Sequence, residues 1–325
     1  MNYFFGFYPI IEQEIRFFYN LNHLIFVILM MLVLLALYFG VNSTTKKGIR
    51  RTLFALGLIM FALEAGRLIW LTAENAYLGL PSGLAFWVST FPFSYCGIMS
   101  ITAAVVLIVT AFMKNIQTVG MQIFYNILFG LGMLGGLITF SAPGIFDYRF
   151  PLLHFRNFQT VAVHLLLIFV PLYLIKIGKL QIQLRNAWMA AAGFFGTASI
   201  LMTVSQISGE NRGWALYIEE MVIYAGVYIP FPWHLFVLFL AMFSVTLLFY
   251  ALFGRKADTK PIPVNMPIIV VGLIIATAGI LLIPFVFNQS PVESAWGLLC
   301  LIPLVIIIAT IIMSCIIKRR DGKLK

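Results

Sequence analysis

Nine stretches of roughly 20 predominantly apolar residues recur along the chain, each long enough to cross the hydrocarbon core of a bilayer. They lie near 21–41, 52–72, 84–113, 119–140, 158–178, 187–207, 233–253, 266–287 and 295–317. In that core every backbone N–H and C=O must find its partner within the protein, so only helices and closed barrels can span it. Continuous apolar runs of this length, without the alternation of a barrel strand, read as helices. The expected fold is all-α, a polytopic membrane helix bundle of about nine transmembrane helices. Composition agrees, because a 325-residue chain that is 62% hydrophobic and only 10% charged has too few charged residues to cover a water-soluble domain.

The connecting segments carry an orientation signal, since cytoplasmic loops collect Lys and Arg. Lys46, Lys47, Arg50 and Arg51 follow the first span, Lys114 the third, and Lys176, Lys179 and Arg185 the fifth. Arg255, Lys256 and Lys260 follow the seventh span, and Lys318, Arg319, Arg320, Lys323 and Lys325 the ninth. The alternate loops hold few. The N-terminus is therefore expected outside and the C-terminus inside, as in a multi-pass protein of the cell membrane. The net charge of +10 is accounted for as a topology signal rather than a nucleic-acid footprint. No basic region precedes the first apolar run, so no removable signal peptide is expected. Residues 1–20, aromatic-rich with Pro9, read as an interfacial segment. Residues 21–253 read as a seven-helix core, and 254–325 as a C-terminal helical hairpin with a basic cytoplasmic tail.

Ionisable side chains within a span are costly to bury and mark functional sites by default. The stretch from Phe150 to His164 concentrates them: His154, Arg156, Asn157, Gln159, Thr160 and His164. At 100° per residue Arg156, Thr160 and His164 share one stripe of a helix. In the expected orientation all four histidines, His23, His154, His164 and His234, belong to the outer side, joined by Glu64 and Arg67 in the outer half of the second span. Glu64 and Arg67, three residues apart, read equally as an ion pair that fixes helix packing or as a ligand contact.

The third span carries the most reactive side chain, Cys96, with Pro92 before it bending the helix and Ser100 one turn after it. A thiol acting as a nucleophile needs a base beside it, and His164 is the candidate if the third and fifth spans touch. Cys96, Cys300 and Cys315 are too scattered for a disulfide framework or a metal site. No nucleotide-binding glycine loop, zinc-type spacing or serine-hydrolase elbow occurs, so no cofactor and no metal is expected. Gly132 and Gly136 in the fourth span form a GxxxG pattern suited to close helix approach, Ala192 and Gly196 a weaker one, and Asn126 an interhelical hydrogen bond. The aromatic, acidic segment from Ser208 to Pro232 is too polar to span and reads as a lid or an interfacial belt.

Glu64-x-x-Arg67-x-x-Trp70, Pro92-x-Ser94-x-Cys96, and Gly135-Gly136 leading to Pro143 occur in order along the chain. Phe150-Pro151 follows, then His154-Phe-Arg-x-Phe-Gln159, His164 and Pro230-Phe-Pro-Trp233. Together, over about residues 20–253, they resemble the YwaF-type family of integral membrane proteins. That family is similar to a eukaryotic transmembrane acyltransferase of ether-phospholipid metabolism, and more remotely to intramembrane lipid hydrolases that pair a threonine nucleophile with a histidine. The resemblance implies a cysteine and a histidine acting together, carried here onto Cys96 and His164. The chain departs from the family in having Ser94 two residues before the cysteine, where histidine is common, and Gly97 after it.

The expected function is acyl transfer to, or hydrolysis of, a membrane lipid in an outward-facing intramembrane cavity. Cys96 and His164 would do the chemistry, and Glu64, Arg67, Ser94, His154, Arg156, Gln159, Trp233 and His234 would contact substrate. Membrane lipids, with a phospholipid as substrate, are the expected partners and nucleic acid is not; the oligomeric state is left open. The alternative is a transporter or a lipid- or solute-binding protein with no covalent chemistry.

Overall fold

The structure is a computed structural model that describes residues 5, 21–43, 45–79, 86–87, 90–113, 118–141, 154–208, 233–254, 264–287 and 296–323. The expected interfacial segment 1–20, apart from Phe5, and the expected lid 209–232 lie outside the described residues, as does the His23 side chain.

Every regular element among the described residues is helical. The long helices are α1 (Leu21–Gly40), α2 (Lys46–Tyr77), α3 (Tyr95–Phe112), α4 (Val119–Ile127), α5 (Met133–Ser141), α6 (Phe155–Lys176), α7 (Trp188–Ser208), α8 (Trp233–Phe253), α9 (Met266–Phe287) and α10 (Ile302–Lys323). A π-helical turn, Leu128–Gly132, joins α4 to α5 into one continuous rod. Among the described residues a helical rod lies within each expected span, the third shortened to α3, and seven of the helices are long and apolar enough to cross a membrane.

Local sequence sets the ends. Thr45 caps α2 by accepting from Gly48 N–H at 3.0 Å, and Thr118 caps α4 by accepting from Met121 N–H. His154 caps α6, its Nδ1 accepting from Arg156 N–H at 3.2 Å. At the other end of α6 the chain reverses through Gly178 at φ +67, a left-handed conformation glycine adopts without steric cost. The N–H of Lys179 then reaches back to the Leu174 carbonyl.

One correction falls at Pro92. Rather than bending a single span over 84–113, it stands in a non-helical break, and α3 begins at Tyr95. Proline offers no N–H to a preceding helix, and a helical turn ends just before it, with Phe91 N–H on the Trp87 carbonyl. Cys96 consequently lies in the first turn of α3, not in the middle of a helix.

Two compact units divide the chain. The first comprises Met1–Pro92 and Cys96–Gln181, the second Phe93–Tyr95 and Ile182–Lys325. In the first unit α5 packs on α6 through the GxxxG glycines. A Cβ on Gly136 would come within 2.6 Å of Ile168 Cγ1 and 2.8 Å of the His164 carbonyl oxygen, and one on Gly132 would meet Leu167. The approach expected of this pattern is therefore present. Asn126 donates to the Gln122 carbonyl on its own helix. Lys176 ties α6 to the end of α1, donating to the carbonyls of Tyr38 and Val41.

In the second unit α7 is buried on nearly every side, as befits a helix apolar all round. The hairpin α9–α10 packs against it, Gly196 lying close to Leu304. Phe194, Phe195, Phe239 and Phe243 form a continuous ring cluster across α7 and α8. Leu240, Leu248 and Leu252 of α8, Ile274 and Ile275 of α9, and Val305 and Ile312 of α10 are exposed. Such apolar outer faces suit lipid, not water.

Candidate functional site

The polar side chains of the first unit gather where α2, α3, α5 and α6 meet. At the Tyr77 end of α2, Glu74 faces Arg156, with Oε2 3.7 Å from Nη1. The Arg156 guanidinium lies over the Trp70 ring at 5.9 Å, and Trp70 meets the buried His154 ring edge-on at 5.2 Å. Because His154 Nδ1 accepts the capping hydrogen bond, its ring nitrogen there carries a lone pair. Arg156 keeps 30% of its side chain exposed. Further along α6, Arg156, Thr160 and His164 are each partly exposed, whereas the helix is buried from Leu165 to Pro171. The stripe is a partly open strip whose inner end is His164, eight residues and about 12 Å from Arg156.

The His164 ring is oriented by its own helix. Nδ1 lies 2.7 Å from the Thr160 carbonyl oxygen, which can only accept, so Nδ1 carries the proton. The neutral imidazole then presents Nε2 as its basic atom, a tautomer assigned from the hydrogen bond.

On α2, Glu64 lies ten residues, about 15 Å, from Glu74 and at a depth comparable with His164. Glu64 is 5% exposed, and its carboxylate is engaged at both oxygens. Oε2 takes Arg67 Nε at 3.2 Å, and Oε1 takes the Ser100 hydroxyl at 2.5 Å. Arg67 also donates from Nη2 to the Thr90 carbonyl at 3.0 Å. Ser100 is one turn beyond Cys96 on α3.

Cys96 is partly exposed and lies beside Thr139, whose hydroxyl donates to the Gly135 carbonyl at 2.8 Å. A Cβ on Gly135 would stand 2.8 Å from Cys96 Sγ, so the sulfur sits directly against the bare face of this glycine. Gly136, the next residue, abuts the His164 carbonyl. Consecutive Cα atoms are about 3.8 Å apart, so α5 brings the sulfur and the His164 turn to one place in the fold. The sulfur and the imidazole are not hydrogen-bonded to each other: the imidazole bonds the Thr160 carbonyl, and the sulfur lies against Gly135. Gly97, a departure from the resembled pattern, has a local reason. A Cβ there would lie 2.4 Å from the Pro92 carbonyl oxygen.

Of the residues expected from sequence, Glu64 and Arg67 bond each other and Glu64 reaches Ser100, one turn from Cys96, while His154 and Arg156 gather with Trp70 and Glu74 further along α2 and α6; the His164 turn lies against α5. Gln159 is buried on α6. Ser94 is exposed, and Trp233 and His234 begin α8 in the second unit, the first 63% exposed and the second fully buried. Sequence reasoning missed Thr139, Gly135 and Glu74 as neighbours of these groups. Glu74 had a signal, since it is seven residues from Arg67 and repeats its helix face. Thr139 had none, because a π-turn interrupts the periodicity before it.

The fold and this cluster define a polytopic helical membrane protein with a buried polar site. The chain belongs to the TMEM164 family, whose model matches residues 18–250, nearly the stretch over which the motifs run. Comparison with curated proteins and with solved structures gives no match. The match defines a transmembrane family, and α9 and α10 lie beyond it.

Proposed function

We propose that this protein is a lipid acyltransferase or lipid hydrolase of the cell membrane, with Cys96 as nucleophile and His164 as general base. The observation that carries the reading is the pair of adjacent glycines on α5, one against the Cys96 sulfur and the other against the His164 turn. His164 Nε2 takes the thiol proton, and the sulfur attacks the acyl carbonyl carbon of a lipid ester. The ester C–O bond breaks, and the alcohol leaves with the proton held by His164. The resulting thioester passes its acyl group to water or to an acceptor hydroxyl that His164 deprotonates in turn. The first-turn N–H groups of α3 form the positive end of that helix, which favours the oxyanion developing beside Cys96. Arg156, a partly exposed guanidinium side chain, suits a lipid phosphate. Catalytic hydrogen bonds are commonly loose before substrate binds, so the lack of a hydrogen bond between sulfur and imidazole is compatible with this role.

The test is lipid turnover by the purified protein in vesicles of its own lipids. Cys96→Ala should abolish turnover while expression and folding are kept. Undiminished turnover in that variant removes the cysteine from the mechanism.

The second reading is a transporter or a lipid- or solute-binding protein without covalent chemistry. It is favoured by the imidazole bonding its own helix at Thr160 rather than the sulfur. Solute uptake into reconstituted vesicles that depends on Glu64 and His164, with no lipid turnover, would establish it in place of the first.

A further inference from the structure

The break at Pro92 separates the helical turn closed by Phe91 N–H on the Trp87 carbonyl from α3, the helix that carries Cys96 in its first turn. With no continuous helix across the proline, the direction of α3 relative to that turn is set by bonds to neighbouring segments. Glu64 and Arg67 reach both sides of the break. Arg67 Nη2 satisfies the Thr90 carbonyl two residues before Pro92, and Arg67 Nε is held by Glu64 Oε2. The other oxygen of the same carboxylate takes the hydroxyl of Ser100, which also lies 2.9 Å from the Gly97 carbonyl in the first turn. One carboxylate on α2 therefore grips the chain ahead of Cys96 and the helix behind it. Ser100 is wholly buried and Thr90 nearly so, and a broken grip would leave their polar groups without these partners.

We infer that Glu64 and Arg67 are positioning residues, a clamp across the Pro92 break that fixes the first turn of α3 and with it the direction of the Cys96 sulfur, rather than substrate ligands. The inference deepens the reading of Cys96 as nucleophile and rests on it for its functional meaning. Its structural content is independent of turnover. The geometry also explains why the acid is paired with arginine at this position. A lysine could neutralise Glu64, but its single ammonium lacks the planar fork that holds a carboxylate from one nitrogen and a carbonyl from another.

The experiment is the rate at which Cys96 reacts with a small membrane-permeant maleimide, measured in a Cys300→Ala, Cys315→Ala parent so that one thiol reports. Freed from the clamp, the first turn opens more often, and Glu64→Ala and Arg67→Ala should each label about fivefold faster than the parent, the factor that matches one lost hydrogen-bonded constraint. Glu64→Gln keeps acceptor and shape without charge and should return the rate to within about twofold of the parent. A purely electrostatic role predicts otherwise for Arg67→Ala: the unneutralised carboxylate would repel the thiolate that maleimide attacks and slow the reaction. Slower labelling of Arg67→Ala, or unchanged labelling of both alanine variants, overturns the clamp. If Glu64→Ala does not elute as a folded species in detergent, Ser100→Ala removes one strut without touching a charge. It should still label faster, and an unchanged rate there overturns the proposal too. A parent that turns over no lipid while Glu64→Ala and Arg67→Ala label faster leaves the clamp standing and sinks the acyl chemistry. Intact turnover with unchanged labelling does the reverse.

Discussion

His164 illustrates how a single backbone atom sets chemistry. The Thr160 carbonyl fixes the proton on Nδ1 and leaves Nε2 as the base. Glutamine at this position can still donate to that carbonyl but cannot accept and return a proton at neutral pH. His164→Gln should therefore keep the fold and lower lipid turnover by about 10²–10⁴-fold, the usual contribution of a general base. An equal rate in the variant would show the imidazole to be a spectator. Gly135 makes the complementary point by what it lacks. Alanine there places a methyl 2.8 Å from Cys96 Sγ, so the sulfur must move. Turnover should fall about tenfold or more, as expected when a reacting atom is displaced by a fraction of an ångström to an ångström. Thermal unfolding in detergent should change little, because the methyl meets the end of one side chain that can turn aside.

At the scale of elements, the first unit depends on how closely α5 approaches α6. Gly136→Ala puts a Cβ 2.8 Å from the His164 carbonyl oxygen, a backbone atom that cannot swing aside. It should destabilise the protein by about 1–3 kcal/mol, the range for overpacking, and lower the apparent Tm in detergent. It should also disturb turnover, since the strained turn is the one that carries the imidazole. The π-turn Leu128–Gly132 explains why these contacts were not readable from periodicity. A π-turn adds a residue to one turn, so a face traced at 100° per residue along α4 is lost before it reaches Gly135 and Thr139. The Pro92 break has the same effect on α3. The GxxxG spacing survives because Gly132 closes the π-turn and Gly136 is four residues on, in regular helix.

For the molecule as a whole, α9 and α10 lie outside the family match yet pack against α7 in the second unit. Deleting residues 254–325 would uncover apolar faces of α7 shaped for helices rather than lipid, and the truncated chain should unfold in detergent at a lower temperature than the full one. Equal stability would show the hairpin to be dispensable. The Lys and Arg asymmetry predicts that a reporter fused after Lys325 stays on the cytoplasmic side, and that an acceptor site for glycosylation placed between Ser208 and Pro232 is modified in a eukaryotic host. The reverse pattern would invert the topology and place the candidate site on the opposite face. The sequence by itself determined where the apolar helical rods of the described residues fall, apart from the start of α3, because lipid leaves the backbone no other way to satisfy its hydrogen bonds and the length of each apolar run is set by bilayer thickness. It also announced the Glu64–Arg67 pair and the Arg156–Thr160–His164 stripe, since both lie within one unbroken helix. Only the tertiary structure decided which faces meet. Cys96 meets Gly135, and Glu64 meets Ser100, from other helices across a π-turn and a proline break, where the helical period that links sequence to direction no longer holds.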